Sequence, residues 1–264
     1  MSKNNLPIAV FDSGIGGVSV LKELVSTLPN ENFIYYGDTA NAPYGVKSAE
    51  RVRELTFSVY EKLKAEGIKA FVIACNTATS VAVADLREKY PDDIIIGVEP
   101  ALKPAVESEE HPTVAVLATP LTLKEEKFAK LLSRFERDAR VISFACPGLV
   151  EFVERGEIEG ENLHKFLSEL LFPLKNENLD CVVLGCTHYP FVKAEISAIL
   201  GENVKIFDGS VGTAQNTRRR LENADLLNDA KEKGRVIFID SSYPKKVNAS
   251  ESTLVKFGGE YLCS

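Results

Sequence analysis

Short β-branched apolar runs alternate along this chain with stretches of helical period, the pattern of an α/β protein. Ile8-Ala9-Val10-Phe11 reads as a buried strand, and Val20, Leu21, Leu24 and Leu28 line one face of the helix that follows. Phe33-Ile34-Tyr35-Tyr36 is a second strand, followed by a loop, Asn41-Ala42-Pro43-Tyr44-Gly45, with turn chemistry. A long helix over residues 48–65 buries Val52, Leu55, Val59 and Leu63, and Gly67 sits where a C-cap is expected. The apolar run 70–74 ends in Cys75-Asn76-Thr77. A helix through Val83 and Leu86 stops before Pro91, and residues 94–98 form a further strand.

The pattern then restarts. Residues 113–117, 140–144, 181–184 and 204–208 read as strands, with helices over about 149–155, 162–171 and 211–221. Ala9-Val10-Phe11-Asp12-Ser13 matches Val116-Leu117-Ala118-Thr119 in kind. Val72-Ile73-Ala74-Cys75-Asn76-Thr77 likewise matches Val183-Leu184-Gly185-Cys186-Thr187, at nearly equal spacing. A whole α/β half is thus repeated. The expected fold is two pseudo-symmetric α/β domains, each a mostly parallel sheet flanked by helices, with the active site in the cleft between them. The late strand 235–239 has no counterpart in the first half, and its simplest place is back on the first domain. That gives a discontinuous first domain, 1–98 and 208–264, carrying Cys75, and a second domain, 99–207, carrying Cys186. Each thiol falls at the C-terminal end of a strand, where open α/β sheets bind ligands.

Composition narrows the function. With 45% hydrophobic and 26% charged residues the chain is of ordinary globular type. It contains no apolar run long enough for a membrane span. Residues 1–7 lead straight into a strand without a signal-peptide core, so a cytoplasmic location is expected. A net charge of −7 argues against nucleic-acid binding, and Arg218-Arg219-Arg220 reads as a solvated helix face. The five cysteines form no CxxC pair, and the histidines are only His111, His164 and His188, so free thiols and no metal cage are expected. Asp12-Ser13-Gly14-Ile15-Gly16-Gly17, its helix and Asp38 imitate a dinucleotide-binding unit. Ser19 occupies the place of the third glycine, so no nicotinamide cofactor is expected.

Gly185-Cys186-Thr187-His188-Tyr189-Pro190 is a strand-to-helix turn with a thiol, a hydroxyl and an imidazole at its tip. A helix start favours anions and lowers thiol pKa values, so Cys186 taken alone suggests a nucleophile beside a histidine. Its counterpart Cys75 suggests another use. Inverting a carbon centre through a planar carbanion needs a base on one face and an acid on the other. Two thiols, which in free cysteine ionise at about pH 8.5, can exchange those roles between directions. The weakly acidic α-proton then requires a site that stabilises the carbanion with preorganised dipoles.

Phe11-Asp12-Ser13-Gly14-Ile15-Gly16-Gly17, Pro43-Tyr44-Gly45, Ala74-Cys75-Asn76-Thr77-Ala78 and Gly185-Cys186-Thr187-His188-Tyr189-Pro190, taken in order over nearly the whole chain, resemble bacterial glutamate racemases. The resemblance implies a cofactor-independent, two-domain α/β enzyme. It would interconvert L- and D-glutamate as a homodimer and supply D-glutamate for peptidoglycan. It further implies Cys75 and Cys186 as the two acid/base residues. Asp12, Asp38 and Glu154 would polarise the Cys75 side, and His188 would assist Cys186. Glu154 rests on the run Cys146-Pro147-Gly148-Leu149-Val150 and Val153-Glu154, with Glu151 and Glu157 as neighbouring competitors. Substrate contacts would come from Asp12, Ser13, Tyr44, Gly45, Asn76, Thr77, Thr187 and His188. None of these turns carries Arg or Lys, so substrate carboxylates would be held by N–H dipoles and hydroxyls, and Asp12 would suit the ammonium. Cys146, Cys181 and Cys263 take a structural reading. A racemase for aspartate or another amino acid, a Cys/His hydrolase and a two-lobed amino-acid-binding module remain the alternatives.

Overall fold

The computed structural model describes residues 3–243; Cys263 and its neighbours lie outside the described residues. The strands are β1 (Ile8–Asp12), β2 (Phe33–Gly37), β3 (Ala70–Ile73), β4 (Ile95–Gly97), β5 (Thr113–Ala118), β6 (Arg140–Ala145), β7 (Cys181–Leu184), β8 (Lys205–Asp208) and β9 (Val236–Asp240). The helices are α1 (Val18–Thr27), α2 (Ala49–Glu66), α3 (Asn76–Lys89), α4 (Leu102–Val106), α5 (Pro120–Lys124), α6 (Glu126–Leu132), α7 (Leu149–Glu154), α8 (Glu161–Leu170), α9 (Lys193–Leu200) and α10 (Ser210–Asn223).

Two parallel sheets result. The first has the order β4-β3-β1-β2-β9 and the second β6-β5-β7-β8. Read from its other edge, the second sheet repeats the first strand for strand, with β5 in the place of β1 and β7 in that of β3. The late strand β9 is the addition: it pairs in parallel with β2, from Phe33↔Val236 to Gly37↔Asp240. Strands β1, β2, β3 and β7 are buried along their whole length. Covered parallel strands show no polar alternation, which is why they read as continuous apolar runs.

The apolar faces of β1 and β2 pack with α1 through Val10, Tyr35, Leu21 and Leu24, in a core that continues into the second half through Leu117, Leu149, Leu184 and Tyr189. The other face of the first sheet packs against α2 and α3. A buried ion pair, Lys69–Glu31, ties the start of β3 to the approach to β2; Lys69 also donates to the carbonyl of Leu226 at 2.9 Å. Among the described residues no helix is long and apolar enough to cross a membrane.

One element differs from expectation. Pro190 does not open an α-helix; Tyr189–Val192 is a single 3₁₀ turn and α9 starts only at Lys193. Cys186 therefore stands before a tight turn, whereas Cys75 directly caps α3.

Candidate active site

The C-terminal ends of β1, β3, β5 and β7 converge between the two halves. Cys75 is the N-cap of α3, and its sulfur accepts from the Ala78 N–H at 3.4 Å. Its thiol points to Ser13 Oγ, 3.8 Å away. A helix start favours a thiolate, yet at Cys75 burial prevails. Burial pushes the Cys75 thiol up to about 12, Asp12 and Cys186 add to the rise, and the Ala78 and Ser13 bonds only partly offset it. Desolvation outweighs a short-range dipole when the thiol is only 5% exposed.

Cys186 lies opposite. Its sulfur is 3.7 Å from His188 Nδ1, and His188 Nε2 is 2.5 Å from Glu154 Oε1. The buried imidazole resists charging, but its bonds to Cys186 and Glu154 and their charges raise its pKa well above the ordinary value. Burial likewise opposes ionisation of Glu154, and the His188 bond with the Ile15 N–H more than offsets it, so that carboxyl is held below its usual range. Glu154 thus stands on the Cys186 side, not the Cys75 side that the resemblance implied. It closes α7 with its carboxylate against an imidazole from the turn after β7, a contact local sequence cannot reveal.

Asp12 bridges the halves. Its Oδ1 accepts from Gly14 N–H at 2.9 Å and its Oδ2 from Thr187 Oγ1 at 3.0 Å. Asp38 sits one layer behind: it accepts from Tyr44 Oη at 2.6 Å and from Asn41, and it bonds Tyr44 rather than Cys75. Burial and the Asp38 carboxylate, with smaller contributions from Cys75 and Asp12, raise the Tyr44 pKa, which places that phenol at the edge of the same cluster. Gly45 faces Thr119 so closely that a Cβ would come within 2.8 Å of its side chain.

Two participants went unrecognised in the sequence. Thr119 and Thr122, from the turn after β5, form a buried ring of hydroxyls with Thr77, at 3.0, 3.1 and 2.9 Å. Thr119 holds in the second half the place Ser13 holds in the first, and that alignment was the available signal. Asn76 is also buried, and its Oδ1 has no hydrogen-bond partner. Cys146 and Cys181 are packed thiols; Cys181 lies 3.1 Å from Ser108 Oγ. Among the described residues no cluster of three His, Cys, Asp or Glu is arranged to hold a metal.

The glycine-rich turn packs against the opposite half. A Cβ on Gly14 would collide with Glu154 Oε1, and one on Gly16 would collide with His188 Nδ1. A small cavity of about 10 Å³ lies beside Cys186, bounded also by Asn76, Thr187 and Ser210; it is barely room for one water molecule, and Cys75 does not line it. In chemical terms the site offers two thiols from opposite walls, one backed by an imidazole–carboxylate pair and the other by hydroxyl and N–H groups.

A family model described as Asp/Glu/Hydantoin racemase matches residues 8–216. The glutamate racemase of Clostridium acetobutylicum is 51% identical over 247 residues, covering 94% of this chain and 96% of that protein. Among solved structures, the glutamate racemase of Francisella tularensis in complex with D-glutamate aligns with a TM-score of 0.82 at 32% identity, over 98% of this chain and 94% of that one. A glutamate racemase isoform of Bacillus anthracis aligns with a TM-score of 0.87 at 30% identity, over 99% and 95%.

Proposed function

This chain belongs to the Asp/Glu/Hydantoin racemase family, and we propose that it interconverts L- and D-glutamate by moving the α-proton between Cys75 and Cys186. The observation that carries the mechanism is the placement of two buried thiols after corresponding strands, β3 and β7, of two repeated halves.

One sulfur, as thiolate, takes the α-proton and becomes a thiol. The opposing thiol delivers its proton to the other face of the carbanion and becomes a thiolate. The substrate is inverted with no net loss of protons, and the enzyme is left with the two roles exchanged. A protonated His188 donates through Nδ1 to Cys186, a bond that suits the sulfur in its anionic form. Cys75, pushed up to about 12, is then the thiol at rest.

Asp12 and the unpartnered Asn76 Oδ1 suit the substrate ammonium. Ser13, Thr77, Thr187, Thr119 and Thr122 supply hydroxyls, and the α3 start supplies N–H groups, for the carboxylates. Tyr44 and Gly45 would close the pocket, with Asp38 holding the Tyr44 phenol. Opening takes place between a first domain of 1–98 with 208–264 and a second of 99–207. No cofactor takes part in this scheme. The resemblance to bacterial glutamate racemases further supports a cytoplasmic homodimer that supplies D-glutamate for peptidoglycan, and light scattering on the purified protein tests the dimer.

The deciding experiment incubates the protein with L-glutamate in D₂O without added cofactor. D-glutamate carrying α-deuterium is expected, and inversion is lost in both Cys75→Ser and Cys186→Ser. Full inversion by Cys75→Ser would sink the two-thiol mechanism and favour a chemistry built on Cys186 and His188 alone.

A further inference from the structure

Tyr35, in the middle of β2, is completely buried and pairs in register with Val10. Its ring packs against Phe238 of β9 with centroids 5.7 Å apart, a contact phenylalanine would make equally well. The hydroxyl is the part that packing does not explain. It donates to the Gly14 carbonyl at 2.8 Å and lies against Gly17, where a Cβ would come within 2.9 Å of it, so it touches both ends of the glycine turn.

What that turn holds lies in the other half. The Ile15 N–H donates to Glu154 Oε1 at 3.0 Å, and the same oxygen receives His188 Nε2. Gly14 and Gly16 leave no room for a Cβ against these two side chains. A continuous series of contacts therefore runs from the Tyr35 hydroxyl through the turn, Glu154 and His188 to the Cys186 sulfur. It is complete only when the halves meet.

We propose that Tyr35 is a positioning residue for Cys186: acting from the opposite half through the Gly14–Gly17 turn, its hydroxyl seats Glu154 on His188 when the cleft closes. The proposal rests on the racemase reading for its rate effect, but not for its effect on His188. The charged and titratable groups facing His188 are Glu154, Cys186 and Asp12. Loosening the Glu154 contact removes one of the influences that raise the imidazole pKa, so His188 should titrate at lower pH.

The test compares wild type with Tyr35→Phe, which keeps the ring, and with Gly14→Ala, whose methyl group displaces Glu154 directly. Two measurements are made: steady-state kinetics giving kcat and KM for both glutamate enantiomers, and the His188 titration by NMR on histidine-labelled protein. With three histidines in the chain, His188→Asn assigns the resonance. Both variants should lose about 10- to 100-fold in kcat with KM nearly kept, as for a misplaced catalytic group. The His188 midpoint should fall. A His188 midpoint equal to wild type in Tyr35→Phe overturns the proposal whatever the rate, and so does a shifted midpoint with an unchanged kcat. A wild-type protein inactive on glutamate sinks the racemase reading instead, and the His188 titration then decides the seating of Glu154 alone.

Discussion

Replacing Glu154 by glutamine isolates the charge of the imidazole–carboxylate pair from its shape. The amide oxygen can still accept from Ile15 N–H and from His188, because both bonds end on one oxygen, Oε1. What disappears is the negative charge beside a buried imidazole. A hydrogen bond to a charged group contributes about 1.5–3 kcal/mol. The Glu154 side chain is 20% exposed, which trims the loss to about 1–2 kcal/mol. If that stabilisation acts in the transition state, kcat/KM falls roughly 5- to 30-fold, and the His188 midpoint moves down. The direction in pH follows from the two shifts. His188, raised, contributes fully below about 6.5 and loses its contribution as pH rises through its elevated value. Glu154, lowered, contributes above about 4.5 and loses it as pH falls through its depressed value. The pair thus belongs to neutral pH, and Glu154→Gln should pull the alkaline limb of the rate profile to lower pH. The assay is loss of optical rotation from each enantiomer between about pH 6 and pH 10, the span over which the imidazole and free thiols titrate. An alkaline limb that stays in place, or moves upward, refutes the role given to the carboxylate.

Thr119→Val removes one of three mutually bonded hydroxyls, and the loss of one neutral hydrogen bond of about 0.5–1.5 kcal/mol should raise KM for glutamate roughly 2- to 12-fold. An unchanged KM would take Thr119 out of the binding site. Lys69→Met leaves Glu31 buried without its partner, their side chains being 1% and 2% exposed, and should cost about 3–5 kcal/mol. In a chain of this size that lowers Tm by about 6–20 °C in calorimetry, and the double change Lys69→Met with Glu31→Gln should recover much of it. A double variant no more stable than Lys69→Met would show that the stranded charge is not the cause.

The strands and the repeat were legible because parallel strands covered on both faces must be apolar throughout, and each ends abruptly at its reactive tip. Cys75 and Cys186 stood out because the repeat put a thiol at the same point twice. The partners of those thiols were harder to place. Glu154 is 34 residues from His188 in sequence, and helix periodicity alone does not separate it from Glu151 or Glu157, which share its short segment. Thr119 carried only a hydroxyl at a strand end, a feature too common to single out. The Cys75 pKa depends on a competition between helix dipole and desolvation, and desolvation is set by packing among residues distant in sequence, such as Phe11, Tyr44 and Phe71.

The glycine-rich turn after β1 had the outward form of a nucleotide cradle, and its glycines serve the same physical need with a different occupant. In a dinucleotide fold the missing Cβ atoms let a pyrophosphate approach the backbone N–H groups at a helix start. Here the anion that arrives is the Glu154 carboxylate, which takes the Ile15 N–H, and the His188 ring settles over Gly16. A turn built to receive an anion thereby becomes a seat for the other half of the protein. The contacts that join the halves at this turn are therefore the same ones that set Glu154 against His188, whose Nδ1 lies 3.7 Å from the Cys186 sulfur. On the two-thiol proposal, a change that separates the halves at the turn should break the imidazole–carboxylate pair and lower the rate together.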